Sequence, residues 1–322
     1  MNSRFSSNLQ LLIFASALVA GCSQAALTQT PEVIPQEVEM PSLTSEEYPR
    51  IDGSTSTAPL GATIACHLMD VPCEWIDFID SNRYLMPDLS DYDDEFPDIS
   101  HFGTHSAYLN LIEGQADLIL VARLPSAQEL ELAQMSGVTL VSQPIALDAF
   151  IFIVNENNPL DELTIEEIQG IYTGELKNWS QVGGPEDEIH PYQRNEQSGS
   201  QQLMLELVMK GIPMIDAPLM VLPKMIAPFY SISDDPLGIG YSVYYYEENM
   251  APNELIKLVA VDGVKPEHAT IQTRQYPFTT EVYVVVRADS PPTSSATQIR
   301  DWLLSPGGQE VIEQSGYIRS YK

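Results

Sequence analysis

From residue 50 onward the chain alternates short apolar runs of strand length with stretches of helical spacing. Arg50-Ile51-Asp52 is a short strand entering a Gly53-Ser54-Thr55 turn. A helix follows, with Pro59 in its first turn and apolar residues at Leu60, Ile64, Ala65 and Leu68. Residues 70–100 are polar and rich in Asp, with no clear period beyond a short segment over 75–79. Gly103-Thr104-His105-Ser106 then precedes an apolar helix over 107–113, and Gly114 terminates it. A buried strand over 117–122, a helix over 126–135 and a strand over 138–141 complete this part.

Residues 144–156 form a long extended run that reads as a crossover into a second unit. Thr164-Ile165-Glu166-Glu167 has capping-box spacing at the head of an amphipathic helix. The extended segment 189–193 precedes Arg194, although Pro191 weakens it as a strand. Ser200 opens a helix over 201–210, stopped by Gly211. The β-branched strand 279–287 would return the chain to the first unit. Strands alternating with helices predict an α/β fold of mostly parallel sheets flanked by helices. Two crossings between the units predict a two-strand hinge. The implied lobes are 49–145 plus 276–322, and 146–275.

The first residues bear on the compartment. Arg4 gives a weakly basic start, and residues 9–19 are apolar apart from Gln10 and Ser16. A run this short cannot span a bilayer as a stable helix, so residues 1–21 read as a cleavable export signal. Its ending, Val19-Ala20-Gly21-Cys22, resembles the lipobox of bacterial lipoproteins. That resemblance implies that Cys22 is diacylated and becomes the new N-terminus. The alternative is an ordinary signal cut after a small residue, with Cys22 incidental. Residues 22–48 are rich in Pro, Glu, Gln, Ser and Thr and read as a flexible tether. The expected location is extracytoplasmic, in the periplasm or at the cell surface, on a lipid anchor.

The 45 acidic against 15 basic residues give a net charge of −30, which excludes a general nucleic-acid binder. It does not exclude an anion site. Surface charge is screened over roughly 10 Å at 0.1 M salt, whereas a buried anion responds to donors within a few ångströms. The remaining cysteines, Cys66 and Cys73, would be too far apart for a bridge on one continuous helix. Pro72 should end that helix and let the chain turn back, which favours a local disulfide over two free thiols outside the cytoplasm.

Three segments share one design: a strand end, a turn rich in Ser or Thr, then a helix. They are Gly53-Ser54-Thr55-Ser56, Gly103-Thr104-His105-Ser106, and Arg194 with Ser198-Gly199-Ser200. A helix N-terminus presents unpaired N–H groups and the positive end of the dipole, which suits an anion. Arg194 adds an always-charged bidentate clamp. For each segment alone, ordinary N-capping is the competing explanation.

These blocks resemble the phosphate-binding proteins of phosphate ABC transporters. The likeness continues in order through Leu163-Thr164-Ile165-Glu166-Glu167-Ile168, Asn178-Trp179-Ser180-Gln181-Val182-Gly183-Gly184, Gly238-Ile239-Gly240-Tyr241, Tyr276-Pro277-Phe278 and Ser305-Pro306-Gly307-Gly308-Gln309. It covers essentially the whole chain after residue 48. The resemblance implies a two-lobed periplasmic-binding-protein-like fold of type II that closes on dehydrated phosphate. It implies a monomer without cofactor or metal, delivering phosphate to an ABC permease and its ATPase. Thr55, Ser56 and Thr104 would bind from the first lobe, and Arg194, Ser198, Gly199 and Ser200 from the second. The family usually carries Ser-Arg or Ser-Asp where this chain has Ala122-Arg123. A hydroxyl donor is missing there, and so is a carboxylate that would accept the proton of HPO4 and reject sulfate. Arg123 either contacts the anion or pairs with a nearby Asp. A receptor for sulfate or another oxyanion, and a scaffold lipoprotein without ligand, are the rival readings.

Other signals carry less. His101 and His105 straddle Gly103 with no third ligand nearby, so metal binding is not expected. Neither a Gly-x-Ser-x-Gly elbow nor a phosphate-binding loop of nucleotide hydrolases occurs, and no enzyme is expected. Asp91-Tyr92-Asp93-Asp94-Glu95 reads as a solvated acidic loop rather than a Ca2+ site. Trp179 and the run Tyr244-Tyr245-Tyr246 read as packing or lobe-face residues.

Overall fold

The computed structural model describes residues 37–78, 82–92 and 95–320. Cys22, the apolar run before it, and Asp93 and Asp94 of the acidic run lie outside the described residues. The chain begins with β1 (Ile51–Gly53), α1 (Ala58–Leu68), β2 (Cys73–Asp77), β3 (Arg83–Pro87), α2 (Thr104–Ile112), β4 (Leu118–Val121) and α3 (Ala127–Met135). The long strand β5 (Leu140–Asn155) leads to β6 (Glu162–Leu163), α4 (Ile165–Thr173), β7 (His190–Pro191), β8 (Gln193–Arg194) and α5 (Gly199–Leu203). Next come β9 (Val221–Leu222), α6 (Ala227–Asp234), β10 (Gly238–Val243), β11 (Ile256–Leu258), β12 (Ala260–Val261) and α7 (His268–Gln272). The chain closes with β13 (Thr279–Arg287), α8 (Ser295–Leu303), α9 (Pro306–Gln314) and β14 (Ile318–Arg319).

The strands order as β1-β4-β13-β5-β10-β7, with β11 and β14 also on β5. The sheet is mixed rather than mostly parallel. β1 and β4 are parallel, as are β10 and β7, but β13 pairs antiparallel with both β4 and β5, and β5 antiparallel with β10. The reason is the crossing itself: one strand leaves the first end of the sheet and another returns beside it, so the two must oppose. The strand expected over 138–141 and the extended run 144–156 are one element, β5. Residues 140–149 pair with β13, and 150–154 with β10. Pro144, which has no N–H to give, lies opposite Tyr283 where the β13 register shifts between Val282 and Tyr283. Pro191 is tolerated because β7 is the edge strand.

The core runs along β5. Ala149, Phe150, Ile151, Phe152, Ile153 and Val154 are fully buried, and Phe150 and Phe152 pack against Tyr241. Each such aromatic or branched side chain contributes about 1.5–3 kcal/mol by leaving water. Trp179 is also fully buried and donates its Nε1–H to Leu237 O at 3.0 Å, a packing role. Among the described residues no helix is long and apolar enough to cross a membrane.

The polar stretch 70–100 contains a hairpin that periodicity did not reveal. Only β2 falls in the segment read as regular; β3 pairs with it antiparallel, with Trp75 opposite Leu85. α1 ends at Leu68, before Pro72, and Asp70 takes a left-handed turn at φ 53°. The chain therefore doubles back, and Cys66 and Cys73 form a disulfide with Cα atoms 6.0 Å apart. That bond ties α1 to the hairpin.

Candidate functional site

The β1 end, the α2 start and the segment around Arg194 converge on one cavity of about 440 Å3. Thr55, Ser56, Thr104, Arg123, Arg194, Ser198, Gly199 and Ser200 all line it. These residues come from both ends of the sheet, before β5 and after it.

The first wall is built on Asp52. Its Oδ1 accepts N–H bonds from Gly53 (2.7 Å) and Phe102 (3.0 Å), and its Oδ2 accepts from Asn110 Nδ2 (2.7 Å). One buried carboxylate thus fixes the turn after β1 and the entry to α2. Gly53 is required because a Cβ there would stand 2.5 Å from Leu120 O. Thr57 Oγ1 donates to Leu120 O (2.7 Å) and Ser54 O (2.9 Å), holding the turn against β4. Ser54 Oγ pairs with Thr104 Oγ1 at 2.7 Å and accepts the Ala122 N–H at 3.2 Å. With no hydroxyl at Ala122, its backbone N–H is held by Ser54.

The second wall carries Arg194. Its N–H donates to Tyr241 Oη (2.9 Å) and Gln201 Oε1 (3.1 Å), and Tyr241 in turn donates to Gln201. Nε donates to Leu222 O at 3.1 Å, and Nη1 meets Met225 Sδ at 3.3 Å. The residue is 7% exposed, and burial pulls its guanidinium down to about 10, with Tyr241 and Tyr246 opposing that shift. The walls touch at Gly199, where an added Cβ would lie 2.5 Å from Thr104 Oγ1.

Capping separates the helices into two groups. Ser126, Thr164, Ser294 and Ser305 each cap their helix by a side-chain bond, on α3, α4, α8 and α9. α1, α2, α5 and α6, whose starts lie at or beside cavity-lining residues, have no N-cap side-chain bond, and α7, away from the cavity, has none either. Ordinary N-capping therefore does not account for the hydroxyls at Ser54, Thr57 and Ser198. At α1 and α6 the first N–H groups are taken, Ala58 by Thr55 O and Ala227 by Lys224 O, or are absent at Pro59 and Pro228, so among the described residues it is α2 and α5 whose first N–H groups are left for another acceptor.

The electrostatics are sharper still. Every described arginine except Arg194 has a carboxylate within ion-pair distance: Arg50, Arg83, Arg123, Arg274, Arg287, Arg300 and Arg319. Among the described residues the cavity lining contains no Asp or Glu at all. In a chain with 45 acidic residues, the one described arginine outside ion-pair distance of a described carboxylate is buried at the cavity. Arg123 is spent differently. Its Nη1 and Nη2 bind Glu129 Oε2 and Oε1 at 2.7 and 2.8 Å, so it pairs with a Glu where an Asp was expected. Burial pushes the Glu129 carboxyl up, but Arg123, the Ser126 N–H and His105 outweigh that and hold it below its ordinary range. His105 borders the cavity with Nδ1 2.9 Å from Glu129 Oε1. Among the described residues no group of three or more His, Cys, Asp or Glu is placed to hold a metal ion.

Sequence reasoning missed Asn82, Tyr84, Lys224 and Met225, which also line the cavity, as do Ser54 of the first turn and Tyr246 of the tyrosine run. Asn82 and Tyr84 come from the overlooked hairpin, and Tyr246 Oη donates to Asn82 Oδ1 at 3.0 Å. Lys224 left one usable signal, an isolated cation shortly before a helix start.

A two-lobed α/β fold closing a polar cavity, free of carboxylates among the described residues, defines a periplasmic-binding-protein-like architecture of type II. The chain belongs to the PBP superfamily, whose domain model matches residues 89–307. It is similar to the phosphate-binding protein PstS of Borreliella burgdorferi, 27% identical over 179 residues, covering 54% of this chain and 63% of that protein. The chain thus spans less than two thirds of that relative's length. It is also similar to PstS of Pseudomonas aeruginosa, 26% identical and covering 67% of this chain and 72% of that one. A structure from Clostridium perfringens with bound phosphate shares the fold at TM-score 0.63 and 22% identity, covering 84% of this chain and 99% of that one. The ABC-type phosphate transport receptor from Vibrio cholerae does so at TM-score 0.61 and 20% identity, covering 84% and 98%.

Proposed function

We propose that this chain is a non-enzymatic, extracytoplasmic receptor that captures phosphate for an ABC-type importer. The observation that carries the reading is Arg194, a buried cation left without a carboxylate in a hydroxyl-lined cavity. A buried charge lacking a counter-ion is costly, and an anion entering the cavity relieves that cost. Thr55, Ser56 and Thr104 act from one lobe, and Arg194, Ser198, Gly199 and Ser200 from the other. Because neither wall holds all the donors, the ligand favours the closed arrangement. The proposed lobes are 49–145 with 276–322, and 146–275, joined by β5 and β13. The partners are the permease and its ATPase, and the chain acts as a monomer held to the membrane through Cys22. The PstS relatives support this reading.

One observation favours a second reading, a receptor for sulfate. Among the described residues the lining has no carboxylate to accept a proton from HPO4, so none of them penalises a proton-less dianion by charge. Calorimetric titration of the chain with phosphate and with sulfate at pH 5 and 8 decides between them. Phosphate is expected to bind at micromolar affinity or tighter, and Arg194→Ala to abolish binding. Tighter binding of sulfate would replace the first reading with the second, and no binding of either anion would end both.

A further inference from the structure

We infer that Met225 is an oxidation site inside the anion cavity, and that its conversion to the sulfoxide weakens phosphate capture. This rests on the phosphate reading of the cavity. Two of the groups assigned there to the anion already share one acceptor: Arg194 Nη1 and Ser200 Oγ meet Met225 Sδ at 3.3 and 3.6 Å. The two donors come from β8 and α5, whereas Met225 stands in the turn between β9 and α6, half-buried on the cavity lining. The sulfur therefore stands where an oxygen of the ligand would meet the same two donors.

The chemistry of sulfur makes that placement matter. A thioether is a weak, uncharged acceptor, so it gives Arg194 a contact without neutralising it. A phosphate oxygen forms a charge-assisted bond roughly twice as strong as a neutral one and displaces the sulfur. The methionine side chain is unbranched and freely rotating, so it can turn aside. Oxidation reverses the balance. A peroxide transfers one oxygen to the sulfur: its O–O bond breaks, an S–O bond forms, the sulfur gives up two electrons, and the peroxide leaves as water or an alcohol. The sulfoxide is polar, and its oxygen is a strong acceptor beside the guanidinium and hydroxyl that the anion needs. It competes for both donors and takes up room in the cavity. Two other methionines separate this effect from general damage. Met135 is 78% exposed on α3, and Met214 accepts from Gln201 Nε2 at 3.4 Å, yet neither lines the cavity.

The experiment treats the full chain with hydrogen peroxide in steps, maps each methionine by peptide mass spectrometry, and titrates orthophosphate by calorimetry. Affinity is expected to fall by about tenfold or more in oxidised chains, the scale of one charge-assisted hydrogen bond. At partial oxidation, the fraction of chains that still bind tightly should equal the fraction with Met225 reduced, and should not follow Met135 or Met214. Methionine sulfoxide reductases, one for each epimer, should restore binding. Met225→Leu, treated alike, should keep whatever affinity it had before treatment. Met225 staying reduced while Met135 is fully oxidised, sulfoxide at Met225 with affinity unchanged, or an equal loss in Met225→Leu would each overturn the inference and leave the phosphate reading standing. If the untreated chain fails to bind orthophosphate, both fall together.

Discussion

Replacing Arg194 by methionine should make the unliganded protein more stable while removing its function. Burial holds the Arg194 guanidinium at about 10, well under its ordinary value. At about 1.4 kcal/mol for each tenfold change, that difference means the charged form costs the fold about 3 kcal/mol. The sign follows from the direction. A folded-state pKa below the unfolded one means folding disfavours the proton, and the cost is fully present at every pH well under 10. Against this gain stands the loss of the Nε bond to Leu222 O, worth about 1–2 kcal/mol. Methionine keeps most of the stem volume, so little cavity opens. The net expectation is a stabilisation of about 1–2 kcal/mol for the unliganded variant, read from urea denaturation at pH 7. With saturating phosphate the order reverses, because only the parent gains linkage stabilisation, about 2.7 kcal/mol at a hundred times Kd. A variant less stable than its unliganded parent by more than about 1 kcal/mol, or one still stabilised by phosphate, would refute the view of Arg194 as an uncompensated charge waiting for an anion.

The remaining predictions concern the hinge strand and the contact between walls. Asp148 on β5 is buried, accepts N–H bonds from Ala149 and Tyr245 on Oδ1, and has no partner on Oδ2; burial pushes it up to about 7 against those bonds. Its raised folded-state pKa means that stability falls as pH rises from about 4 to about 7 and is level above, a loss of roughly 4 kcal/mol at most. Asp148→Asn should match the parent near pH 4 and exceed it by about 2–4 kcal/mol at pH 8 in urea titrations, and a constant difference across that range would contradict this. Gly199→Ala should hold the walls apart, since its methyl meets the Thr104 hydroxyl. Overpacking of about 1–3 kcal/mol in the closed state predicts roughly a tenfold to hundredfold loss of phosphate affinity. The unliganded denaturation midpoint should stay unchanged, and unaltered affinity would show that closure does not bring these residues together.

The sequence by itself determined the local pieces of this protein. Its alternation of strand and helix periods gave the α/β class, and small residues at strand ends marked the turns that precede α1, α2 and α5. Arg194 was legible as a candidate because Ser198, Gly199 and Ser200 follow it four to six residues on. The hairpin of β3 was not legible, because its apolar residues Tyr84, Leu85 and Met86 stand in a row and do not alternate. Nor could the sequence say that the sheet is mixed, since strand direction depends on where the crossing strands return. Most of all, charge pairing is a property of three dimensions. That Arg123 meets Glu129 six residues on, while Arg194 meets no acid among the described residues, depends on which surfaces the fold brings within 4 Å. A Coulomb partner is chosen by distance in space, and only the tertiary structure decided which arginine was left for the ligand.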